Sequence, residues 1–234
     1  MRTEKVGFEI VQYKLLLGNQ VYSGWSLRFG LVFRHFNIDF EHQVVPLYTN
    51  EFEQFRKQYF PARQLPALIT DEDGDRQVIW DSLSIVEFLS DHHPKLEIWP
   101  SDPGMRAAAR SLCAEMHSAF KALRSSMPVN LKRNYAAFQP NEEVRSDIQR
   151  ICALWRWVRE LFVSDGPYLF GDTLSAVDAF FAPVASRFRT YSIDLDEQSA
   201  AYSNLLLQHP ATLEFIEAAQ SESWRMEHNE FDLD

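Results

Sequence analysis

Apolar positions along the chain follow two regimes that meet near residue 93. Before it the apolar runs are short and change period often. Tyr13–Leu17 is an apolar run of strand length. Leu27, Leu31 and Phe33 then recur in a proline-free segment that reads as a helix from about Trp25 to His35. Phe40, Val44 and Val45 mark a second strand within Asp39–Pro46, and Glu51–Phe60 reads as a polar, aromatic-studded helix stopped by Pro61. The loop 61–66 runs into a third strand at Ala67–Ile69. Asp73-Gly74 predicts a hairpin to Gln77–Trp80, and Leu83–Asp91 predicts a closing helix. The order is βαβαββα, with the first two strands joined through a helix and therefore expected to be parallel.

Residues 93–102 read as a linker, with Pro94, Pro100 and the adjoining Pro103 falling within ten positions, and no strong strand pattern follows them. Leu112, Met116, Phe120, Leu123 and Met127 predict one long helix over Met105–Met127. Val144, Ile148, Ile151, Trp155, Val158 and Phe162 predict a second long helix. Ser175-Ala176-Val177-Asp178 is a capping-box pattern ahead of a third helix that Pro183 should bend. Shorter helices are expected over Ser199–Gln208 and Pro210–Ala219. Residues 1–10 read as an arm, and the polar, acidic stretch from about Ser221 reads as a loose tail.

Chemistry concentrates at Ser23 and Ser26, where the first strand turns into the first helix. Ser26 is well placed as an N-cap, and both hydroxyls sit near unpaired amides at the positive end of the helix dipole. Such a place holds an anion, a ligand's thiolate included; simple capping is the competing reading. Asp81 and Ser82 likewise sit at a helix start, where carboxylate and amides together suit a zwitterion, with plain capping as the competing and compatible reading. The formal net charge of −10 argues against a nucleic-acid partner, and no apolar run approaches the length that spans a bilayer. The two cysteines, Cys113 and Cys152, lack metal-ligand spacing, so no metal is expected and a reducing, cytoplasmic setting is.

Four motifs together resemble the cytosolic glutathione transferases. Ser23-x-x-Ser26-x-Arg28 resembles the serine loop of the zeta-like branch, and Gln64-Leu65-Pro66-Ala67-Leu68 resembles the loop with a cis-proline before the third strand. Trp80-Asp81-Ser82 resembles the acid-serine step, and Gly171 with Ser175-x-x-Asp178 resembles the capping box of the helical domain. The resemblance implies an α/β plus all-α architecture: a thioredoxin-like N-terminal domain over 1–92, a linker over 93–102 and an all-helical domain over 103–234. It implies a homodimer with glutathione as co-substrate and a small electrophile as second substrate, in a detoxification-type transfer.

Within that resemblance Ser23 is the hydroxyl that donates to the glutathione sulfur, the alternatives being Ser26 in that role or Ser23 as a turn residue only. Lowering a thiol pKa by about two units takes roughly 2.7 kcal/mol, within reach of one charge-assisted hydrogen bond aided by a helix end. Gln64, Leu65, Asp81 and Ser82 are implied glutathione contacts; Pro66, Ser175 and Asp178 are structural. The isomerases of the zeta branch carry a cysteine two residues after the serine, where this chain has Trp25. Transfer is therefore the expected reaction, with glutathione-dependent isomerisation, dehalogenation or a non-catalytic binding role as alternatives. Arg106, Arg110, His117, Lys121 and Arg124 fall on one stripe of the first long helix. In the implied fold that helix borders the cleft. His117, Lys121 and Arg124, with Trp25 and Ser26, are thus candidate contacts for a second substrate, and a solvated basic face or a subunit contact is the alternative.

Overall fold

The computed structural model describes residues 12–72, 75–162 and 166–231. β1 (Gln12–Leu17) leads through a tight turn into α1 (Gly24–His35), β2 (Glu41–Val44), α2 (Asn50–Gln58), β3 (Ala67–Glu72), β4 (Asp75–Ile79) and α3 (Ser82–His92). The sheet has the order β2-β1-β3-β4; β1 pairs parallel with β2, and β3 antiparallel with both β1 and β4. The β3–β4 ladder ends at Glu72↔Asp75. The expected Asp73-Gly74 turn, like the arm 1–10, lies outside the described residues. Alternation along β1 separates two hydrophobic faces. Leu15 and Leu17 join the core shared with α1 and α3, while Leu16 meets Val45, Phe55 and Tyr59 beneath α2.

The remaining described chain is helical: α4 (Pro103–Ser118), α5 (Lys121–Ser126), α6 (Glu142–Leu161), α7 (Ala176–Thr190), α8 (Glu197–Gln208) and α9 (Pro210–Gln220). α7 is the hub. All its residues except Arg189 are buried, and it runs through Pro183 without interruption. The core is continuous from β1 through α1 to α7, so the sheet and the helical part share one apolar interior. Gly24 permits that approach at the start of α1, because a Cβ there would lie 2.9 Å from Pro183 and 3.1 Å from Val129. Gly171 has φ +147°, a backbone region that favours glycine.

Asp178 anchors the hub from within. It is fully buried, accepts from the Ser175 N–H and hydroxyl, and takes further bonds from the Leu169 N–H (3.2 Å) and the Tyr202 hydroxyl (2.7 Å). Burial raises its pKa overall, although each of these bonds opposes the shift.

Three expectations from the sequence are corrected. The first long helix is two helices, because Phe120 takes a left-handed conformation (φ 55°, ψ 43°) between α4 and α5. No side chain of the break caps α5; Asp147 on α6 does, accepting from the Leu123 N–H at 2.9 Å. The cap of α1 is Ser23, not Ser26, which lies inside the first turn. The segment after Ser221 is not loose. It crosses the Ser23 turn, forms a short 3₁₀ turn at Glu227–Asn229, and buries Asn229.

No described helix is long and apolar enough to cross a membrane.

Candidate functional site

The Ser23 turn is held from several directions. Within it, the Asn19 carbonyl accepts from the Tyr22 and Ser23 N–H groups, and the Asn19 side chain accepts from the Leu47 N–H. From the C-terminal segment, the Glu222 carboxylate accepts from the Gln20 and Val21 N–H groups at 2.9 and 3.1 Å. Glu230 accepts from the Tyr22 hydroxyl at 2.7 Å and also pairs with Arg133. Burial, reinforced by the bond to Glu230, pushes the Tyr22 phenol up to about 12.

Ser23 caps α1 by accepting from the Ser26 N–H (3.2 Å) and also accepts from the Ser26 hydroxyl (2.8 Å). Ser26 is fully buried and its oxygen accepts from the Gly18 N–H at 2.9 Å. Ser23 therefore faces outward, while Ser26 stands behind it.

Two cavities meet at Ser23. One, of about 640 Å³, is lined by Ser23, Trp25, Arg63, Gln64, Leu65, Pro66, Asp81, Ser82, His117 and Arg124 among others. The Leu65–Pro66 peptide is cis, and Leu65 precedes β3, outside its ladder. Asp81 caps α3 through the Leu83 N–H (3.1 Å), and its other oxygen lies 3.2 Å from His117 Nε2. His117 Nδ1 is 3.4 Å from the Ser82 hydroxyl, so a proton on Nε2 suits both neighbours. The second cavity, of about 400 Å³, shares Ser23, Trp25, Leu47, Tyr48 and Arg124 with the first. Its own lining adds Tyr22, Arg28, Arg187, Met226 and His228, and no carboxylate side chain lines it among the described residues. A further cavity of about 640 Å³ at the opposite end of the sheet, lined by Tyr13, Phe40 and Arg76 among others, contains none of the candidate residues.

The second cavity is electropositive. Arg28 is only 2 % exposed; its Nε donates to the Phe180 carbonyl, and its Nη1 is buried without a partner among the described residues. Its guanidinium lies 3.8 Å from the Trp25 ring centroid, and that of Arg124 lies over the same ring at 5.8 Å. Burial, then repulsion from Arg187, lowers the pKa of Arg28 well below the usual value. Burial and Arg124 lower Arg187 to about 10. Arg187 remains cationic near neutrality.

The sequence-derived candidates divide accordingly. Ser23, Gln64, Leu65, Asp81, Ser82, Trp25, His117 and Arg124 are brought to one place. Ser26 and Lys121 line neither cavity. The break at Phe120 divides the basic stripe, leaving Arg106, Arg110 and His117 on α4 and Lys121 and Arg124 on α5. Arg106 donates to the Pro100 and Ser101 carbonyls, Arg110 pairs in a two-bonded fashion with Glu87, and only His117 and Arg124 reach the cleft. Arg187, Tyr48, Met226 and His228 were missed, and Arg28 entered only as part of a motif. An arginine inside the apolar helix α7 was the one available signal. Burial raises the thiol pKa of both Cys113 and Cys152, which disfavours either as a nucleophile.

Comparison with known proteins supplies the family. Residues 22–92 match the profile of the glutathione S-transferase N-terminal domain, and residues 108–218 match that of the C-terminal domain. The chain belongs to the glutathione S-transferase family. A probable maleylacetoacetate isomerase of Caenorhabditis elegans is 27% identical over 172 residues, covering 73% of this chain and 76% of that protein. Such relatives support the zeta-like branch of the transferases. A dichloromethane dehalogenase of Methylophilus leisingeri is 38% identical over 65 residues, 27% of this chain and 23% of its own. Among solved structures, a Burkholderia glutathione transferase homologue with bound glutathione aligns with a TM-score of 0.67. It is 19% identical and covers 90% of this chain and 100% of its own. The thioredoxin-like domain followed by a helical domain is thus the transferase fold.

Proposed function

We propose that this transferase adds the thiolate of glutathione to a small electrophile that carries a carboxylate or a similar anionic group. The observation that carries the reading is the position of Ser23 on the wall between the two cavities. In the larger cavity the γ-glutamyl end meets Asp81 and Ser82, the cysteinyl backbone meets Leu65, and Gln64 meets the glycine end. That orientation brings the thiol to Ser23, whose hydroxyl donates to the sulfur and favours its ionised form. In the smaller cavity Arg28, Arg124 and Arg187 hold the anionic group of the electrophile, and Trp25 forms the floor. Catalysis is then nucleophile activation combined with proximity.

A second reading is isomerisation of an unsaturated acid, favoured by the names of the relatives and by the same arginines. The thiolate would add to a conjugated double bond, the new single bond would rotate, and the thiolate would leave with the double bond restored. Trp25, at the position where the resemblance to the zeta branch implies a cysteine for isomerisation, weighs toward transfer. The test is to incubate the protein with glutathione and a panel of unsaturated and halogenated acids beside their neutral esters. Consumption of glutathione with formation of a thioether supports transfer; conversion without net loss of glutathione supports isomerisation. Equal turnover of acids and esters would reject the arginine assignment, and failure to bind glutathione at all would reject both readings.

A further inference from the structure

We propose that Ser26 is a positioning residue for thiolate formation, turning the Ser23 proton toward the sulfur from behind. The inference rests on the assignment of Ser23 to the thiol. Its basis is a hydrogen-bond count around two hydroxyls. The oxygen of Ser26 is fully buried and accepts from the Gly18 N–H at 2.9 Å. Among the described residues, the Ser26 hydroxyl donates to one acceptor, Ser23 Oγ, at 2.8 Å. If Ser23 instead donated back to Ser26, the Ser26 proton would be buried with no acceptor, an arrangement that costs a full desolvation penalty. Ser26 therefore donates and Ser23 accepts. Ser23 Oγ also accepts from the Ser26 N–H at 3.2 Å, so both of its lone-pair directions are used. Its own proton then has one direction left, outward into the two cavities it lines.

The result is a directional chain: Gly18 N–H to Ser26, Ser26 to Ser23, Ser23 to the ligand. Hydrogen bonds aligned head to tail polarise one another, so a donor fed by two others is a stronger donor. Capping of α1 needs only the Ser26 N–H and the Ser23 oxygen. The Ser26 hydroxyl adds nothing to that cap, and its effect is on the orientation and strength of Ser23 as a donor.

The experiment is to titrate the thiolate absorbance of bound glutathione against pH in Ser23→Ala, Ser26→Ala, Ser26→Thr, Ser26→Cys and the Ser23/Ser26 double alanine variant. Ser26→Ala should raise the bound thiol pKa by roughly half a unit to one unit, with glutathione affinity changed less than about threefold. Ser26→Thr should restore the wild-type value, and Ser26→Cys, with its weaker donor, should fall between. The double variant should match Ser23→Ala alone, because Ser26 acts through Ser23. Loss of the Gly18 partner will lower the melting temperature of Ser26→Ala, but the thiol titration reads only folded, liganded protein. If the alanine variant does not fold, the cysteine variant carries the test, and an unshifted pKa there overturns the proposal. A wild-type pKa in Ser26→Ala beside a raised one in Ser23→Ala rejects the relay and leaves Ser23 standing. Unshifted values in both reject the Ser23 assignment itself. Additive shifts in the double variant would show Ser26 acting independently, and would also overturn it.

Discussion

The two walls of the cleft are built in different ways. On the larger cavity's side, the groups that matter are the first turn of α1, the residue before Pro66 and the first turn of α3. They are backbone features, each made by a short run of adjacent residues. On the smaller cavity's side, Arg28, Arg124, Arg187 and His228 come from α1, α5, α7 and the C-terminal segment, and their side chains meet there from distant parts of the chain. A backbone-built wall demands particular residue types in sequence, such as a serine at a cap or a proline before a strand. A side-chain wall demands only that distant helices pack in the right phase. One side can stay fixed while the other changes substituent by substituent.

The largest expected effect tests the frame that both walls share. Asp178→Ala should lower stability by about 3–5 kcal/mol, because Leu169, Ser175 and Tyr202 would lose their buried acceptor together. Denaturation midpoints measure this, and the folded fraction should retain its thiol pKa. A preserved midpoint with lost turnover would make Asp178 part of the chemistry instead.

On the side-chain wall, Arg124→Ala should weaken an acidic electrophile by roughly 1.5–3 kcal/mol, about tenfold to a hundredfold in KM, and a neutral one by less than about threefold. Lys121→Ala, on the same short helix but outside both cavities, should change neither. Parallel losses with both electrophiles would remove the distinction between the walls.

On the backbone wall, Ser23→Ala should raise the bound thiol pKa by about one to two units, roughly 1.4–2.7 kcal/mol, while glutathione affinity stays within a few-fold. Titrating thiolate absorbance in both proteins checks it. An unchanged pKa would transfer the role to the helix amides.

The smallest effect is a pH dependence at the far end of α1. His35 Nδ1 and His209 Nε2 lie 3.0 Å apart, and burial together with His35 lowers His209 to about 4. A histidine whose folded pKa lies below its unfolded value contributes stability above about pH 6.5. That contribution is lost as the pH falls toward 4. The pair is only half-buried, so the loss should be on the order of 1–2 kcal/mol. His209→Asn keeps an acceptor for the Ala211 N–H and should flatten urea midpoints measured between pH 4 and 7. A slope equal to wild type would place the titration elsewhere.

Legibility in the sequence follows the same division. The βαβαββα order, the parallel first pair and the Ser175–Asp178 box could be read because each depends on local period, turn chemistry or a cap. The break at Phe120 could not. Its apolar spacing continues through the break, and the cap that stabilises α5 comes from Asp147 on another helix. Projecting one helix through that point put Lys121 in line with Arg124, although only Arg124 lines the cavities. The C-terminal segment was misread for a related reason. Glu222 and Glu230 look like solvated acids until the Gln20, Val21 and Tyr22 donors are set against them.

Those last contacts bear on the order in which the molecule assembles. Glu222 bonds to Gln20 across a separation of 202 residues, and Glu230 to Tyr22 across 208. Closing so long a loop is entropically late in folding, after local helices and the hairpin have formed. A chain emerging from the ribosome would already contain the residues of β1 and α1 while the acids that grip their connecting turn were still unsynthesised. The serine-bearing turn is therefore completed at the end of assembly, and partly made chains carry the fold's first half without a finished centre.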